Sequence, residues 1–416
     1  MNDEWVETTL GGLCDVQVGP AFKSEVFRSA PDGTRLLRGI NLGPQGTRWD
    51  EVYLWPDERL EEFRRFLLNE GDVCIAMDAT FTSGGQIRAA RMASIDLPAL
   101  LVQRVARLRA RPDSGLDQDF LALVVGSGAF RGHLSDRQTG AFAPHISATD
   151  LKSFSISLPP LPVQRRIVDL MAHLDNHLAN LQTELVSNQS AEFAILGTLA
   201  SLTSGATPDS SLSDHSSVFD CEHKTAPTAS PTDVVFGYSI GTRDIKDGLL
   251  LVSQAKPVTH ETWVAWSRRV QVQPGDVILS REAPVGSVAV VPSDAPPICL
   301  GQRTVLIRPK NGIDGMLLSG ILRSPEIQRW MHHESAGLTV AHLNVADIKR
   351  LPMNTSNLNA KVGERSSAFS ALLDHRQRLQ SELSSLRSFR SALLTALLSG
   401  DHRVPREYDV FLSEVA

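Results

Sequence analysis

The sequence is poor in the features that mark a membrane, secreted or phosphate-handling protein. It has no apolar run of the ~18–20 residues that a membrane span requires. Its opening, MNDEWVETTL, has neither the basic nor the apolar region of a secretory signal. Its four cysteines, Cys14, Cys74, Cys221 and Cys299, include no CxxC pair. That spacing argues against a zinc site and a disulfide framework, and it fits a reducing, cytoplasmic setting. There is no GxxxxGK[ST] loop to cradle a nucleotide phosphate, no glycine fingerprint after a first strand, and no Asn/Asp-Pro-Pro-aromatic signature of amino-methyl transfer. Nor is there an excess of positive charge: 41 Lys and Arg stand against 47 Asp and Glu, a net charge of −6. Any nucleic-acid binding must therefore rest on local concentrations of charge. The stretch from Arg88 to Arg111 is such a concentration, with Arg88, Arg91, Arg104, Arg107, Arg109 and Arg111 against one acid, Asp96.

What the sequence does have is repetition. Gly71-Asp72-Val73-Cys74-Ile75 recurs as Gly275-Asp276-Val277-Ile278-Leu279, and Gln103-Arg104 with Leu108-Arg109 recurs as Gln302-Arg303 with Ile307-Arg308. GAFAPHISATDLKSF, from Gly140, recurs as GLTVAHLNVADIKRL, from Gly337, which aligns His145 with His342. LQTEL at Leu181 recurs as LQSEL at Leu379, and LTSG ending at Gly205 recurs as LLSG ending at Gly400. The order is kept and the offset stays between 195 and 204 residues, so the chain is written twice. The implied organisation is a first globular domain over 1–158, a helix over 159–204, a second globular domain over 205–350, a second helix over 351–404 and a tail over 405–416. Alternation predicts strands in GDVCIAM, QRVARLRA, WSRRVQVQPGDVILS and QRTVLIRP. Pro56 to Leu68 reads as a short helix.

The helices carry the clearest pattern. Ile167, Met171, Leu174, Leu178, Leu181 and Leu185 step by four and three, and the register continues to Ile195, Leu199 and Leu202 with Asn188 and Glu192 as polar interruptions. Phe369, Leu372, Leu379, Leu383, Leu386, Leu393 and Leu397 repeat the pattern, interrupted at Arg376 and Arg390. Each is a coiled-coil seam that needs a partner. Matched seams in one chain predict an antiparallel intramolecular pair; homodimerisation is the alternative. The predicted fold is α+β, two mixed domains separated by two long helices with pseudo-two-fold symmetry. A helix of about 37 residues spans roughly 55 Å, enough to hold two heads at the ~34–36 Å of successive DNA half-sites. The stretch FSISLPPLPVQRRIVDLM, from Phe154, reads as the first joint: a strand, a proline bracket that ends it, then the helix. The second joint, LPMNTSNLNAKVGERSS, has only Pro352 and reads as looser.

The LPPLPVQRRIVDLM joint, the leucine-rich helix and the terminal LLTALLSGDHRVP resemble the specificity subunit of type I restriction–modification enzymes. VFDCEHKTAP (Val218 to Pro227) and IGTRDIKDG (Ile240 to Gly248) resemble the entry segment of target-recognition domains in that family. The resemblance implies a non-catalytic subunit whose two domains read the halves of a split double-stranded DNA target. It implies that the helices dock methyltransferase subunits, two of them, and through these the restriction or motor subunits. It places S-adenosylmethionine, ATP and Mg in those partners, with no cofactor or metal in this chain and no membrane partner. Two other readings stand beside it: a coiled-coil scaffold with two protein-binding heads, and the equivalent subunit of a related restriction enzyme outside type I.

Candidate DNA contacts follow from residue chemistry, since Arg, Lys, Gln and Asn reach phosphates and base edges. The repeat-matched ones are Arg38 with Asn41, Arg243 with Lys246, Gln103 with Arg104, and Gln302 with Arg303. Residues matched in two domains that read different sequences suit phosphate or structural roles. Base readers are expected where the copies differ: Lys23, Arg88, Arg137 and Gln138 in the first, and Lys224, Arg268, Arg269 and Arg281 in the second. His145 and His342 are expected in turn or core positions. Asp220 with Glu222-His223-Lys224 has the residue types of a nuclease site but poor spacing. His332 and His333 are adjacent on a helix and so point apart.

Overall fold

A computed structural model of the chain describes residues 5–27, 33–43, 46–82, 85–137, 145–203, 208–310, 313–335, 341–354 and 360–405. Its contacts gather into two compact units: Met1–Ala179 with Ser384–Ala416, and Asn180–Leu383. Each unit is α+β and takes part of both long helices, α1 (Leu161–Thr203) and α2 (Ala360–Ser399). Among the described residues no helix is long and apolar enough to cross a membrane.

In the first unit a four-stranded antiparallel sheet is built from β1 (Cys14–Val18), β2 (Val73–Ala76), β3 (Ala89–Arg91) and β4 (Val105–Ala110), in the order β1-β4-β2-β3. The second unit repeats it with β5 (Ser216–Asp220), β6 (Val277–Ser280), β7 (Val288–Val290) and β8 (Thr304–Pro309), in the order β5-β8-β6-β7. A three-stranded sheet accompanies each. Thr34–Leu37 lies antiparallel to Leu54–Trp55 and parallel to Ala99–Leu101. Gly237–Ile240 lies antiparallel to Lys256–Val258 and parallel to Ile298–Leu300. A further antiparallel pair closes each unit: Val6–Thr9 on Ser155–Leu158, and Ser210–Ser211 on Pro352–Met353. The duplication seen in the sequence is thus a duplication of topology, strand for strand.

Alternation in β4 explains how the first unit packs. Ala106 and Leu108 face a core shared with Phe120, Phe130, Ile167, Met171, Leu394 and Leu397, so this core joins the head to both helices. Val105 faces the other way, toward Leu36, Trp55 and Leu100. On that second face Arg109 grips Asp72 through two bonds of 2.7 Å, and Arg308 grips Asp276 at the same two distances. Both acids are buried, so each pair is a charge-assisted fork that fixes one sheet. That accounts for the repeated Gly-Asp and Arg of the sequence motifs.

Two sequence expectations meet a different backbone. Asp57–Phe66 is a 3-10 run. In WSRRVQVQPGDVILS only Val277–Ser280 is a strand. The alternating Val270 and Val272 pack on the core without a ladder partner, because Asp276 caps the Gln273 amide and Arg308 takes the Gln271 carbonyl.

The helices pack antiparallel inside each unit. In the first, Ile167, Met171 and Leu178 are buried with Leu394 and Leu397, and Arg390 pairs with Asp175. In the second, Leu181 and Leu196 are buried with Phe369, Leu373, Leu379 and Leu383, and His375 meets Glu184 at 2.9 Å. Leu174, Leu185, Leu372, Leu386 and Leu393 are half-buried. The seam is filled by Leu373 and Leu394 where the heptad count expects Leu372 and Leu393. A straight helix drifts against a seven-residue repeat, which turns the next position inward. The polar interruptions Asn188, Glu192 and Arg376 are buried within the seam.

Candidate nucleic-acid interface

In the first unit the loops at the ends of β2 and β4 enclose a cleft of about 770 Å³. Four predicted contact residues line it: Arg38, Arg88, Gln103 and Arg104. Phe22, Phe27 and Tyr53 supply aromatic walls, and Arg38 lies 4.7 Å over the Tyr53 ring in cation–π contact. Arginine beside aromatic rings suits bases and phosphates alike. Lys23 is exposed beside the lining residue Phe22. The cleft does not include Asn41, which is buried, accepts from the Arg38 amide and donates to the Arg48 and Glu51 carbonyls. Its side chain is committed to holding the loop that presents Arg38. Asn41→Ala should cost about 1–2 kcal/mol by urea denaturation, the size of a lost cap and loop tie. Arg137 lies apart from the cleft, at the end of helix Gly128–Ser135, where it donates to the His133 carbonyl. Gln138 lies outside the described residues.

In the second unit Arg269, Arg281 and Gln302 converge on the segment Asp220–Thr225, which leaves β5 and carries Lys224. Arg269 donates to the Cys221 carbonyl, and Arg281 lies 3.4 Å from Asp220. Gln302 donates to the His223 carbonyl and accepts from Thr225, while Trp266 donates to the Lys224 carbonyl. Arg281 is buried, whereas Lys224, Arg268 and Arg269 are exposed. Arg243 and Lys246 are exposed on the turn after Gly237–Ile240. That turn is closed by Asp244 accepting from the Gly241 amide, as Asn41 accepts from Arg38. The two turns are equivalent, but Arg38 aligns with Gly241, so the arginines stand at different places in them.

Asp220, Cys221 and His223 bring potential ligand atoms within 4.8 Å of one another. Burial pushes the Cys221 thiol up, and the Arg281 guanidinium beside Asp220 opposes a cation there. Burial likewise pushes Cys14 and Cys299 up to about 11, so these thiols are packing groups.

Sequence reasoning missed one constellation, present in both units. Asp78, just past β2, bonds His145 Nδ1 at 2.5 Å through one oxygen and Arg104 Nη1 at 2.9 Å through the other. Glu282, just past β6, bonds His342 Nδ1 at 2.6 Å and Arg303 Nε at 3.0 Å. The backbones match as well. Met77 N bonds Arg104 O and Ile146 N bonds Met77 O; Arg281 N bonds Arg303 O and Leu343 N bonds Arg281 O. Arg104 and Arg303 have φ of 64° and 70°, and Ala79 and Ala283 have 45° and 41°. Left-handed backbone at a non-glycine residue costs about 1–3 kcal/mol and persists only where its surroundings enforce it. The aligned histidines were the available signal. The acids were hidden because one is Asp and the other Glu.

Each of the two duplicated heads presents arginine and glutamine from loops at the end of one sheet. The family model for the type I restriction modification DNA specificity domain matches residues 2–187. Over those residues the chain is similar to that family. It is 32% identical over 170 residues to the EcoAI specificity subunit of Escherichia coli, covering 41% of this chain and 28% of that protein. It is 27% identical over 197 residues to the MjaVIII specificity subunit of Methanocaldococcus jannaschii, covering 47% and 45%. The match therefore spans less than half the length of each of these relatives. The crystal structure of a type I restriction-modification S subunit from M. genitalium has the same fold, with a TM-score of 0.60 at 15% identity over 95% of this chain and 96% of that one.

Proposed function

We propose that this chain is the DNA-sequence specificity subunit of a type I restriction–modification complex. Each head reads one half of a split target in double-stranded DNA. The observation that carries the reading is the strand-for-strand duplication of a head whose loops gather arginine and glutamine at the same end of the same sheet. Duplicated heads with differing loop residues suit a target in two different halves.

The chain itself is non-catalytic in this reading. The helices dock two methyltransferase subunits, and restriction subunits join through them. S-adenosylmethionine serves the methyltransferase, while ATP and Mg serve the motor–nuclease subunit. The acidic balance of the chain places much of the DNA affinity in the assembled complex.

Sequencing methylated bases in genomic DNA from a host with and without this gene tests the reading. The expected result is a split motif, two short specified halves around an unspecified spacer, that disappears on deletion. Methylation unchanged by deletion, or loss of an unsplit motif, would sink it.

A further inference from the structure

We propose that the histidine–carboxylate–arginine corner is a clamp for a DNA backbone phosphate, one in each unit, with Arg104 and Arg303 as the contacting residues and Asp78 and Glu282 as the residues that position them. The proposal rests on the DNA-binding reading above and adds to it the ligand of a particular site.

The first argument is that the geometry is kept while the chemistry changes. Glutamate is one methylene longer than aspartate, and its arginine is gripped nearer the chain, at Nε instead of Nη1. Both histidines turn Nδ1 to the acid, so in each copy the carboxylate is held from two sides. Left-handed backbone stands at the same two positions in each unit. Strain retained in both copies of a diverged repeat marks a constraint that both heads share.

The second argument is exposure. The sheet-fixing pairs Asp72–Arg109 and Asp276–Arg308 bury their acids to 1% and 3% side-chain exposure. The corner arginines stand open, Arg104 at 71% and Arg303 at 51%. One contact to the acid leaves most of the five guanidinium donors of each arginine for a ligand. A structural brace has no need of that exposure.

The third argument is what surrounds the corner. Arg88 stands where the second unit has Ser287, since their carbonyls accept from the matched strand-end amides of Ala76 and Ser280. Heads that differ around a common point read different sequences there, and the ligand they have in common is the one DNA offers at every step, the phosphate.

The test is the salt dependence of binding by the full chain, alone and with its methyltransferase subunits. The probes are a short duplex carrying the methylated motif and a scrambled duplex. Arg104→Gln and Arg303→Gln are each expected to flatten the slope of log K against log salt by about 0.9, equally on both duplexes. The methylated motif should stay unchanged. Arg104→Lys and Arg303→Lys keep the charge and should keep the wild-type slope, so the clamp can be judged even where the Gln variants fold poorly. An unchanged slope in the Gln variants would overturn the clamp alone, as would relaxation of one half of the motif, which belongs to a base reader. Failure of the wild-type protein to bind either duplex would overturn the DNA-binding reading and the clamp together.

Discussion

Arg376→Met lowers the stability of the second unit by about 3–5 kcal/mol near neutral pH, because it strands a buried carboxylate. Arg376 and Glu192 are each 3% exposed in their side chains and meet at 3.0 Å. Arg323 approaches the same Glu192 oxygen at 3.8 Å, and Arg376 also donates to the Asp247 carbonyl. Burial raises the Glu192 pKa, opposed first by Arg376 and then by Arg323. The sign of the pH dependence follows. A carboxylate whose folded pKa is raised contributes its stability below its unfolded pKa and loses it as pH climbs through the folded value. Removing Arg376 takes away the largest opposing charge and raises that folded value further. The variant's deficit should therefore shrink as pH falls toward the ordinary glutamate range. Adding Glu192→Met should recover only part of the loss, since Arg323 then lies unpaired. Arg323→Met as a third change should complete the recovery, as packed apolar groups replace buried ions with little cost. Urea midpoints of the three variants at acidic and neutral pH check this. A loss under about 1 kcal/mol, or one independent of pH, would show the cluster to be better hydrated than its burial implies.

That cluster shows what spacing can and cannot reveal. The heptad steps from Ile167 to Leu185 identify a packed helix because apolar periodicity is a local property of the chain. The same steps place Asn188, Glu192 and Arg376 at seam positions, but the spacing does not distinguish a polar gap from a buried ion pair. The difference lies in Arg323, which comes from a helix in the second head more than a hundred residues from Glu192 in sequence. The corner was hidden for the same reason. Asp78 and His145 are 67 residues apart, and only the closed sheet brings them together. Repetition did expose the architecture, because two copies of one topology keep the same turn and strand signals. It said least about Arg281, where position in the repeat suggests a reader and folding buries the side chain beside Asp220.

Gln164→Ala should destabilise the first unit by about 3 kcal/mol, and the reason lies in the proline joint. The strand Ser155–Leu158 ends at Pro159, and α1 starts at Leu161. Between them Pro160 supplies the carbonyl that the Val163 and Gln164 amides use. Gln164 is fully buried. Its oxygen accepts from the Asp117 amide at 2.8 Å, and its nitrogen donates to the Gly115 and Pro159 carbonyls, each at 2.7 Å. Asp117 in turn caps the helix Gln118–Val125. One side chain thus ties the start of the long helix to the cap of a head helix. Its removal leaves three backbone groups without this partner, the Pro159 carbonyl buried and the other two part-buried, each worth about 1–3 kcal/mol where water cannot replace the partner. Gln164→Glu distinguishes hydrogen bonding from packing. It keeps the volume and the bond to Asp117, but sets a carboxylate oxygen against two carbonyls. The Glu variant should be at least as damaged as the Ala variant near neutral pH and should improve on acidification, when a protonated carboxyl can donate to one carbonyl. Hydrogen exchange in 115–125 and 159–167 should quicken in both variants while the sheet β5-β8-β6-β7 is unaffected. If Ala were damaging and Glu harmless at every pH, the joint would be held by volume and the prolines alone. The sequence reads the second joint as looser. Of that joint, Leu351 to Asn354 and the helix from Ala360 are described, and residues 355–359 lie outside the described residues. The comparison therefore turns on Gln164: the prolines end the strand, but the glutamine links the joint to the head.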